Sequence, residues 1–283
     1  MVKARLIRKL AIYIALLPSL AYFMLFWMVP VVYVALTSFT YRDSFLTVRP
    51  VYVGLRNYAY ILESYRSAIY HSLIYSLGAA AIDLAIGYPL AYLLVKGRMP
   101  LKDVLRASLV FPYFGDLYVS YGLWNMFLPG GVFAYLLNLM GLSYRDVLYT
   151  PLAVSIGFAI FTLPFMVLYV ASNLQEIDPV LEEVALTLGA SPLQTFLKVT
   201  LPLSLPGAFA GFLASFGWNL GGYMIPLLLG GMKGSNVMTV WIVELTLGSY
   251  DYGAAASLSV ILLTMTIVST YLAFKLSRTL LIE

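Results

Sequence analysis

Residues Glu182–Pro206 read EEVALTLGASPLQTFLKVTLPLSLP, and they predict two short helices joined at a sharp corner. The first helix is expected to begin just before this stretch, because Asp178 is a residue type that caps helix N-termini. Pro179 follows at the first helical position, where its missing N–H is no loss. Gly189 is free to adopt the left-handed conformation that ends many helices, so the first helix should stop there.

A second set of local signals restarts the helix. Ser191 stands three residues before Gln194, which is the spacing of a capping box, and Pro192 again occupies the first helical position. Because one helix ends and another begins within a few residues, the chain must change direction between them. The sequence therefore predicts a tight turn, and we call residues 178–194 the corner.

The first helix of the corner divides into two faces. By helical spacing, the apolar face contains Leu181, Val184, Ala185 and Leu188. Glu182 and Glu183 lie largely on the other side. We expect the apolar face to pack against the rest of the protein and the acidic face to dock a partner.

The corner resembles the EAA motif of permease subunits from binding-protein-dependent ABC importers. The residues at matching spacing are Glu183, Ala185, Gly189, Leu201 and Pro202. The family's pattern is Glu-Ala-Ala, three residues, Gly, and later Ile-x-Leu-Pro. Val184 here replaces the first Ala and Val199 replaces the Ile, and both departures are mild. The alternative is an ordinary amphipathic turn between membrane helices.

This resemblance implies that the corner contacts a cytoplasmic ATPase. The residues implied in that coupling contact are Glu182, Glu183, Ala185, Gly189, Ala190, Ser191 and Pro192. The implied fold is the type I ABC importer permease fold, an all-α membrane protein with six transmembrane helices and a cytoplasmic coupling-helix loop. The implied partners are a second permease subunit, homologous or identical, two cytoplasmic ATP-binding subunits, an external solute-binding protein and the lipid bilayer. The partner subunits would bind ATP and Mg, so no cofactor, metal or catalytic residue is implied in this chain.

Further segments look more like the polyamine-type branch, which includes spermidine and putrescine permeases, than like the sugar branch. They are Thr187–Ser191, Leu203–Gly207 and Ile225–Gly231. In the sugar branch an acidic residue commonly stands in place of Leu188. Relatives in the polyamine-type branch also move thiamine, iron, phosphonates or opines. The resemblance therefore implies a small solute and favours a polyamine, with a sugar or one of these other solutes as the alternative.

Composition indicates an integral membrane protein independently of the motif. Hydrophobic residues make up 61% of the 283, charged residues 11%, and the mean hydropathy is +0.89. A soluble domain has roughly 45–50% apolar and about 25% charged residues. The net charge of +4 needs no nucleic acid to explain it, since basic residues flank membrane spans on the cytoplasmic side. The absence of cysteine excludes disulfides and thiolate metal sites.

Hydropathy predicts six spans in a single transmembrane domain over residues 1–283. The spans cover residues 10–36, 70–95, 104–128, 151–173, 204–229 and 253–276, with the coupling loop at 174–203. With the N-terminus in the cytoplasm, 11 of the 17 Lys and Arg residues lie inside, which favours cytoplasmic N- and C-termini in a plasma or inner membrane. The corner would then be cytoplasmic as well.

A second element agrees with the same family. Val53-Gly54-Leu55-Arg56-Asn57-Tyr58 resembles its Val-Gly-Leu-x-Asn-Tyr segment. Asn57 is predicted to cap a short helix that follows it.

Polar residues within spans are candidates for a translocation path, because a charge in hydrocarbon is costly and usually faces a bundle interior or water. The candidates are Asp83, Asp116, Trp218, Asn219 and Tyr223, the last three in a Gly-rich interruption of span five. For Asp83 the equal alternative is a structural hydrogen bond to a neighbouring helix, and Asp116 is expected at a helix break beside Gly115.

Two other functional classes stay open at this point. An ion-coupled secondary transporter would use Asp83 and Asp116 as carriers, but such folds usually show internal repeats, and none is found. A structural membrane scaffold would not need the corner. No phosphate-binding loop and no His-Glu-x-x-His motif is present, so the sequence predicts no enzyme.

Overall fold

A computed structural model of the chain describes residues 16–42, 50–97, 102–110, 114–141, 147–231 and 236–280. The basic N-terminal residues and the beginning of the first predicted span, residues 1–15, lie outside the described part. Within that part the chain is almost entirely helical, and extended pairing is limited to one antiparallel bridge between Thr40 and Tyr52. The predicted all-α class is confirmed.

In chain order the described helices are α1 (Leu16–Thr37), α2 (Arg56–Ser64), α3 (Arg66–Lys96), α4 (Lys102–Ser108), α5 (Asp116–Phe127), α6 (Val132–Leu139), α7 (Pro151–Glu176), α8 (Pro179–Thr187), α9 (Pro192–Gly221), α10 (Met238–Gly248) and α11 (Tyr252–Leu280), with a short π-helical segment at Pro226–Gly230 between α9 and α10. Five of them, α1, α3, α7, α9 and α11, are long and apolar enough to cross a membrane. Each of the five overlaps one of the predicted spans.

The third predicted span, residues 104–128, is not one continuous helix. α4 ends at Ser108, and α5 begins only at Asp116. Gly115 has a φ of +108°, a conformation that an α-helix cannot contain. An apolar run thus indicates a span but not helix continuity, and the bounds of the third span stay a prediction. The expected helix break beside Asp116 is confirmed.

The second helix of the corner is long, not short as predicted. α9 runs from Pro192 to Gly221, so the helix predicted to start near Ser204 begins twelve residues earlier. A π-helical turn at Phe196–Thr200 widens α9 just before Pro202. Such a turn accommodates a proline that would otherwise clash with the preceding α-helical turn. Pro202 and Pro206 therefore do not end the helix.

Contacts divide the chain into two compact units. One comprises residues 1–65 with 242–261, and the other comprises 66–241 with 262–283. The expectation of a single transmembrane domain concerns the chain as a whole and stays a prediction.

In the second unit, α7 packs closely against both α3 and α9. Small residues make this possible, as expected where helices associate inside a bilayer. A Cβ on Gly87 of α3 would lie 2.7 Å from Met166 Cγ, and one on Gly211 of α9 would lie 2.7 Å from Met166 Sδ. At Gly207 an added Cβ would lie 3.0 Å from the backbone oxygen of Tyr169. Glycines on two helices thus form the space that the Met166 side chain fills.

A buried polar cluster joins the same three helices. Thr162 Oγ1 of α7 donates to Asp83 Oδ2 of α3 at 2.6 Å, and Asn219 Nδ2 of α9 donates to Thr162 Oγ1 at 3.1 Å. Asp83 and Thr162 are fully buried, and Asn219 is buried as well. A buried polar group that has a partner stabilises a specific arrangement, whereas one that loses its partner is costly. These contacts favour the structural alternative for Asp83.

In the first unit, Asn57 does not cap α2 as predicted. It lies inside that helix, and its Nδ2 donates to the carbonyl oxygens of Ser38 at 2.9 Å and Thr40 at 2.8 Å. Ser257 Oγ of α11 also donates to Ser38 O, at 3.0 Å. The carbonyl oxygens of Ser38 and Thr40 follow the end of α1, where backbone carbonyls lack partners within the helix. The Asn57 amide donates to these two carbonyls and therefore does not cap its own helix. The element Val53–Tyr58 is therefore a connector between α1 and α11.

We expect Gly207→Leu to destabilise the second unit, because the new side chain meets the Tyr169 backbone oxygen and the Asn173 side chain. Overpacking of this kind costs about 1–3 kcal/mol. The midpoint of thermal unfolding of the detergent-purified chain should fall. Gly78→Ala is the control, because a Cβ at Gly78 meets nothing within 4 Å, and its midpoint should stay the same or rise. An unchanged midpoint for Gly207→Leu would contradict the close crossing.

Thr162→Val should also lower the unfolding midpoint, because it removes the hydroxyl between Asp83 and Asn219 with little change of shape. An unpaired buried polar group costs about 1–3 kcal/mol. Thr270→Val is the matched control, since the exposed Thr270 hydroxyl donates to a carbonyl of its own helix, Thr266 O at 2.7 Å. Equal midpoints for the two variants would show that the cluster does not stabilise the fold.

Candidate functional site

The helix caps of the corner are confirmed. Asp178 Oδ1 accepts a hydrogen bond from Val180 N at 2.9 Å, and Pro179 is the first residue of α8. Ser191 Oγ accepts from Gln194 N at 3.3 Å, and Gln194 Oε1 accepts from Ser191 N at 2.9 Å, which is the reciprocal pair of a capping box. The local sequence thus determines where each helix begins.

A Schellman motif ends α8, and it explains the spacing of the small residues. Gly189 has a φ of +88°. The N–H of Ala190 donates to Ala185 O at 3.1 Å, and the N–H of Gly189 donates to Leu186 O at 3.0 Å. These are the two hydrogen bonds that define this motif. Ala185, Gly189 and Ala190 therefore shape the corner through the backbone.

The predicted division of α8 into packing and docking faces is partly reversed. Leu181 is 48% exposed, Val184 50% and Leu188 83%, and α8 buries none of its residues. Of the two acidic residues, Glu183 is exposed, but Glu182 turns toward the protein. The prediction fails because hydrophobic periodicity does not show that a carboxylate has a partner on another helix. The outer surface of α8 is consequently apolar with one exposed carboxylate.

The carboxylate of Glu182 contacts two other helices. Lys96 Nζ, at the C-terminus of α3, donates to Glu182 Oε2 at 3.1 Å. Thr200 Oγ1, in the π-turn of α9, donates to Glu182 Oε1 at 2.8 Å. The Lys96 and Glu182 side chains are only about one-fifth exposed. We call these three residues the Glu182 bridge. Sequence reasoning missed Lys96 and Thr200, since 86 residues separate the ion pair.

A cavity of about 880 Å³ lies in the second unit, beside α9. Its walls come from α7, α9 and α11 and from the beginning of α5, where Asp116 contributes an acidic side chain. Thr266 and Thr270 add hydroxyls from α11. The cavity is large enough for a small solute, because ligand sites typically occupy about 300–1,000 Å³.

Aromatic side chains dominate one wall of the cavity. Trp218 stacks on Phe165, with ring centroids 5.5 Å apart and an interplanar angle of 11°, and meets Phe161 edge-on at 6.3 Å. Trp218 is 56% exposed although it is the largest residue type. Aromatic faces attract organic cations within about 6 Å of the ring, and a nearby carboxylate adds to that attraction. Together with Asp116, this wall suits a small ammonium compound.

The five predicted path residues lie in three different environments. Asp116 and Trp218 line the cavity. Asp83 and Asn219 are buried in the polar cluster between α3, α7 and α9. Tyr223 is half-buried and packs against the apolar core of the second unit. A role in transport stays a prediction for all five residues. The sequence analysis did not identify Phe165 as a cavity residue, because in the sequence it is one of many residues in an apolar run.

Comparison with known proteins supports the motif-based resemblance. Residues 3–281 match the family described as binding-protein-dependent transport system inner membrane component. The chain is 32% identical over 251 residues to the spermidine/putrescine transport system permease protein PotB of Salmonella typhimurium (strain SL1344), covering 87% of each chain. It is 28% identical over 273 residues to the trehalose/maltose transport system permease protein MalF of Thermococcus litoralis, covering 92% of each.

The fold is similar to that of a solved ABC transporter. The crystal structure of a bacterial alginate ABC transporter in complex with an alginate pentasaccharide-bound periplasmic protein matches with a TM-score of 0.76 and 20% identity. The match covers 98% of this chain and 96% of that one. At this identity the likeness shows the fold, and the family follows from the sequence match over nearly the whole chain. The chain therefore belongs to the family of binding-protein-dependent transport system inner membrane components, as a permease of an ABC importer.

Proposed function

We propose that this permease forms half of a translocation path for a polyamine or a similar small cation, and that the corner couples it to a cytoplasmic ATPase. The observation that carries the proposal is the pairing of two features on one helix. α9 begins at the corner and reaches the aromatic cavity with Trp218 near its other end. A movement at the corner therefore has a continuous helix along which to reach the cavity.

The coupling part of the proposal is supported by the outer surface of α8. A short helix with several half-exposed apolar side chains and one exposed carboxylate is incompletely covered by its own chain. Protein interfaces typically combine such an apolar centre with a charged rim. We place this surface, formed by Leu181, Glu183, Val184 and Leu188, against an ATP-binding subunit.

The orientation of the proposal follows from the charge distribution. With a cytoplasmic N-terminus, 11 of the 17 Lys and Arg residues lie on the inside, and this bias supports a cytoplasmic location for the corner and both chain termini. The remaining partners would be a second permease, identical or homologous, two ATP-binding subunits that hold ATP and Mg, and an external solute-binding protein. ATP hydrolysis would then occur entirely in the partner subunits.

The substrate part of the proposal is supported by the cavity and by the relatives. Asp116 and the Trp218 face supply the negative charge and the aromatic surface that an ammonium group requires when it leaves water. The relative with 32% identity carries spermidine and putrescine in its name. A sugar is the second candidate, because the relative with 28% identity is a trehalose/maltose permease and aromatic walls also suit sugar rings.

An ion-coupled secondary transporter finds little support in the side-chain contacts. Asp83, one of the two carriers such a mechanism would need, is fully buried and hydrogen-bonded to Thr162. It is absent from the described lining of the cavity, whereas a carrier must exchange its ion with an aqueous path.

The docking surface predicts that Leu188→Glu and Glu183→Lys separate the chain from its ATPase. A charge placed at an 83% exposed leucine, or a reversed charge beside it, should reduce ATPase co-purification about tenfold, a loss of about 1.4 kcal/mol. Gly189→Val should act similarly, since a β-branched residue at φ +88° deforms the corner.

The matched control is Leu247→Glu, at another leucine that is 68% exposed but lies outside the corner. It should co-purify with as much ATPase as the wild type. Normal ATPase association of both Leu188→Glu and Glu183→Lys would show that α8 does not dock there.

The cavity predicts that Asp116→Asn and Trp218→Leu reduce uptake of labelled spermidine by vesicles that contain the assembled importer. Loss of a charge-assisted contact costs about 1.5–3 kcal/mol, or roughly a tenfold to hundredfold loss in apparent affinity. Asp103→Asn is the control, because its carboxylate is 96% exposed on α4 and away from the cavity lining.

The same uptake measurement, made with labelled trehalose, shows whether the substrate is a polyamine or a sugar. If labelled trehalose is taken up and Asp116→Asn leaves its uptake unchanged while Trp218→Leu reduces it, the substrate is a sugar. Full spermidine uptake by the Asp116→Asn, Trp218→Leu double variant would remove both residues from the path.

A further inference from the structure

α8 lies at the surface of the described chain. It buries none of its nine residues, and its two ends are fixed mainly by backbone turns, the Asp178 cap and the Schellman motif at Gly189. Turns at the two ends fix the position of a helix axis, but they restrain rotation about that axis weakly. A side chain in the middle of α8 that binds other helices would restrain this rotation and set which residues face outward.

Glu182 meets this requirement. Its two carboxylate oxygens bind donors on different helices, Lys96 Nζ of α3 at 3.1 Å and Thr200 Oγ1 of α9 at 2.8 Å. A carboxylate held at both oxygens has a defined direction, unlike one in a single exposed ion pair. Thr200 is 1% exposed, so one of the two donors is fixed within the packed protein.

We infer that Glu182 is a positioning residue: its bridge to Lys96 and Thr200 sets the rotation of α8 and transmits displacement of α8 to α3 and α9. This inference rests on the proposed function, in which an ATPase displaces α8. It gives Glu182 an inward role that differs from the outward role of Glu183. α3 and α9 carry Asp83 and Asn219 of the buried cluster, and α9 also carries Trp218 of the cavity. The bridge thus connects the docking surface to α9, which lines the cavity, and to α3, which packs against α7 and α9.

The test compares variants of the assembled importer in vesicles, with three measurements: co-purified ATPase, basal ATP hydrolysis, and spermidine uptake per ATP hydrolysed. Glu182→Ala and Lys96→Met leave the side chains of the docking surface in place, so they should reduce ATPase co-purification less than Leu188→Glu does. Uptake per ATP should fall at least about fivefold, the lower end of typical coupling between sites. Asp103→Asn is the control, because its ion pair with Arg106 lies within one helix and connects no two helices.

A charge exchange distinguishes positioning from general stability. In the Glu182→Lys, Lys96→Glu double variant, the introduced ammonium can donate both to the introduced carboxylate and to Thr200 Oγ1. The double variant should recover more than half of the uptake per ATP that either single variant loses. An unchanged ratio in Glu182→Ala, a fall in yield without a change in the ratio, or a double variant no better than the single ones would overturn the inference.

A second measurement does not depend on the substrate or the ATPase. The chain contains no cysteine, so Thr187→Cys on α8 and Leu93→Cys on α3 create a unique pair for spin labels at two exposed positions. The distance distribution should be narrow in this background and clearly broader when Glu182→Ala is added. Equal widths would overturn the inference even if the proposed function holds. A broader distribution in a chain that neither binds an ATPase nor moves spermidine would instead support the bridge and refute the proposed function.

Discussion

Close approach of α7 to α3 and α9 is the constraint on which the rest of the described second unit depends. Inside a bilayer, lipid tails are as apolar as leucine, so helices associate through packing and hydrogen bonds and not through a hydrophobic driving force. The space around Met166 exists because Gly87 and Gly211 face it from two sides. The same approach brings Asp83, Thr162 and Asn219 within hydrogen-bonding distance. Packing and polar contacts therefore support one another at this crossing.

The long helix α9 joins two regions that differ in chemistry. With 30 residues it spans about 45 Å, since an α-helix rises 1.5 Å per residue. Its first turn completes the corner, and residues near its other end contribute to an aromatic wall. At the corner, contacts are between backbone groups and a few polar side chains that leave apolar surface uncovered. At the cavity, the exposed groups are aromatic rings and one carboxylate.

The sequence allowed the turns of the corner to be predicted in detail, because the hydrogen bonds of its caps and of its Schellman motif join residues at most five positions apart. The caps at Asp178 and Ser191 and the left-handed Gly189 are local consequences of residue type. The inward direction of Glu182 was not predictable in this way, since its partner Lys96 is 86 residues distant. Asn57 illustrates the same limit, because its residue type indicates a cap while its amide serves carbonyls of another segment. The cavity wall follows only from packing, which an apolar run cannot reveal.

The π-turn at Phe196–Thr200 has a consequence for how the length of this chain can vary. Each residue of an α-helix adds 100° of rotation, so one residue inserted or deleted in the regular α-helical part of α9 before Trp218 turns everything beyond it by about 100° relative to the corner. The π-turn holds one residue more than an α-helical turn, and its removal would close the helix into regular α-helix. A deletion inside the π-turn would therefore keep Trp218 roughly in phase with the corner, whereas a deletion elsewhere between Pro192 and Trp218 would turn it away from the other aromatic rings of its wall. The phase of α9, and not merely its length, thus links the two regions.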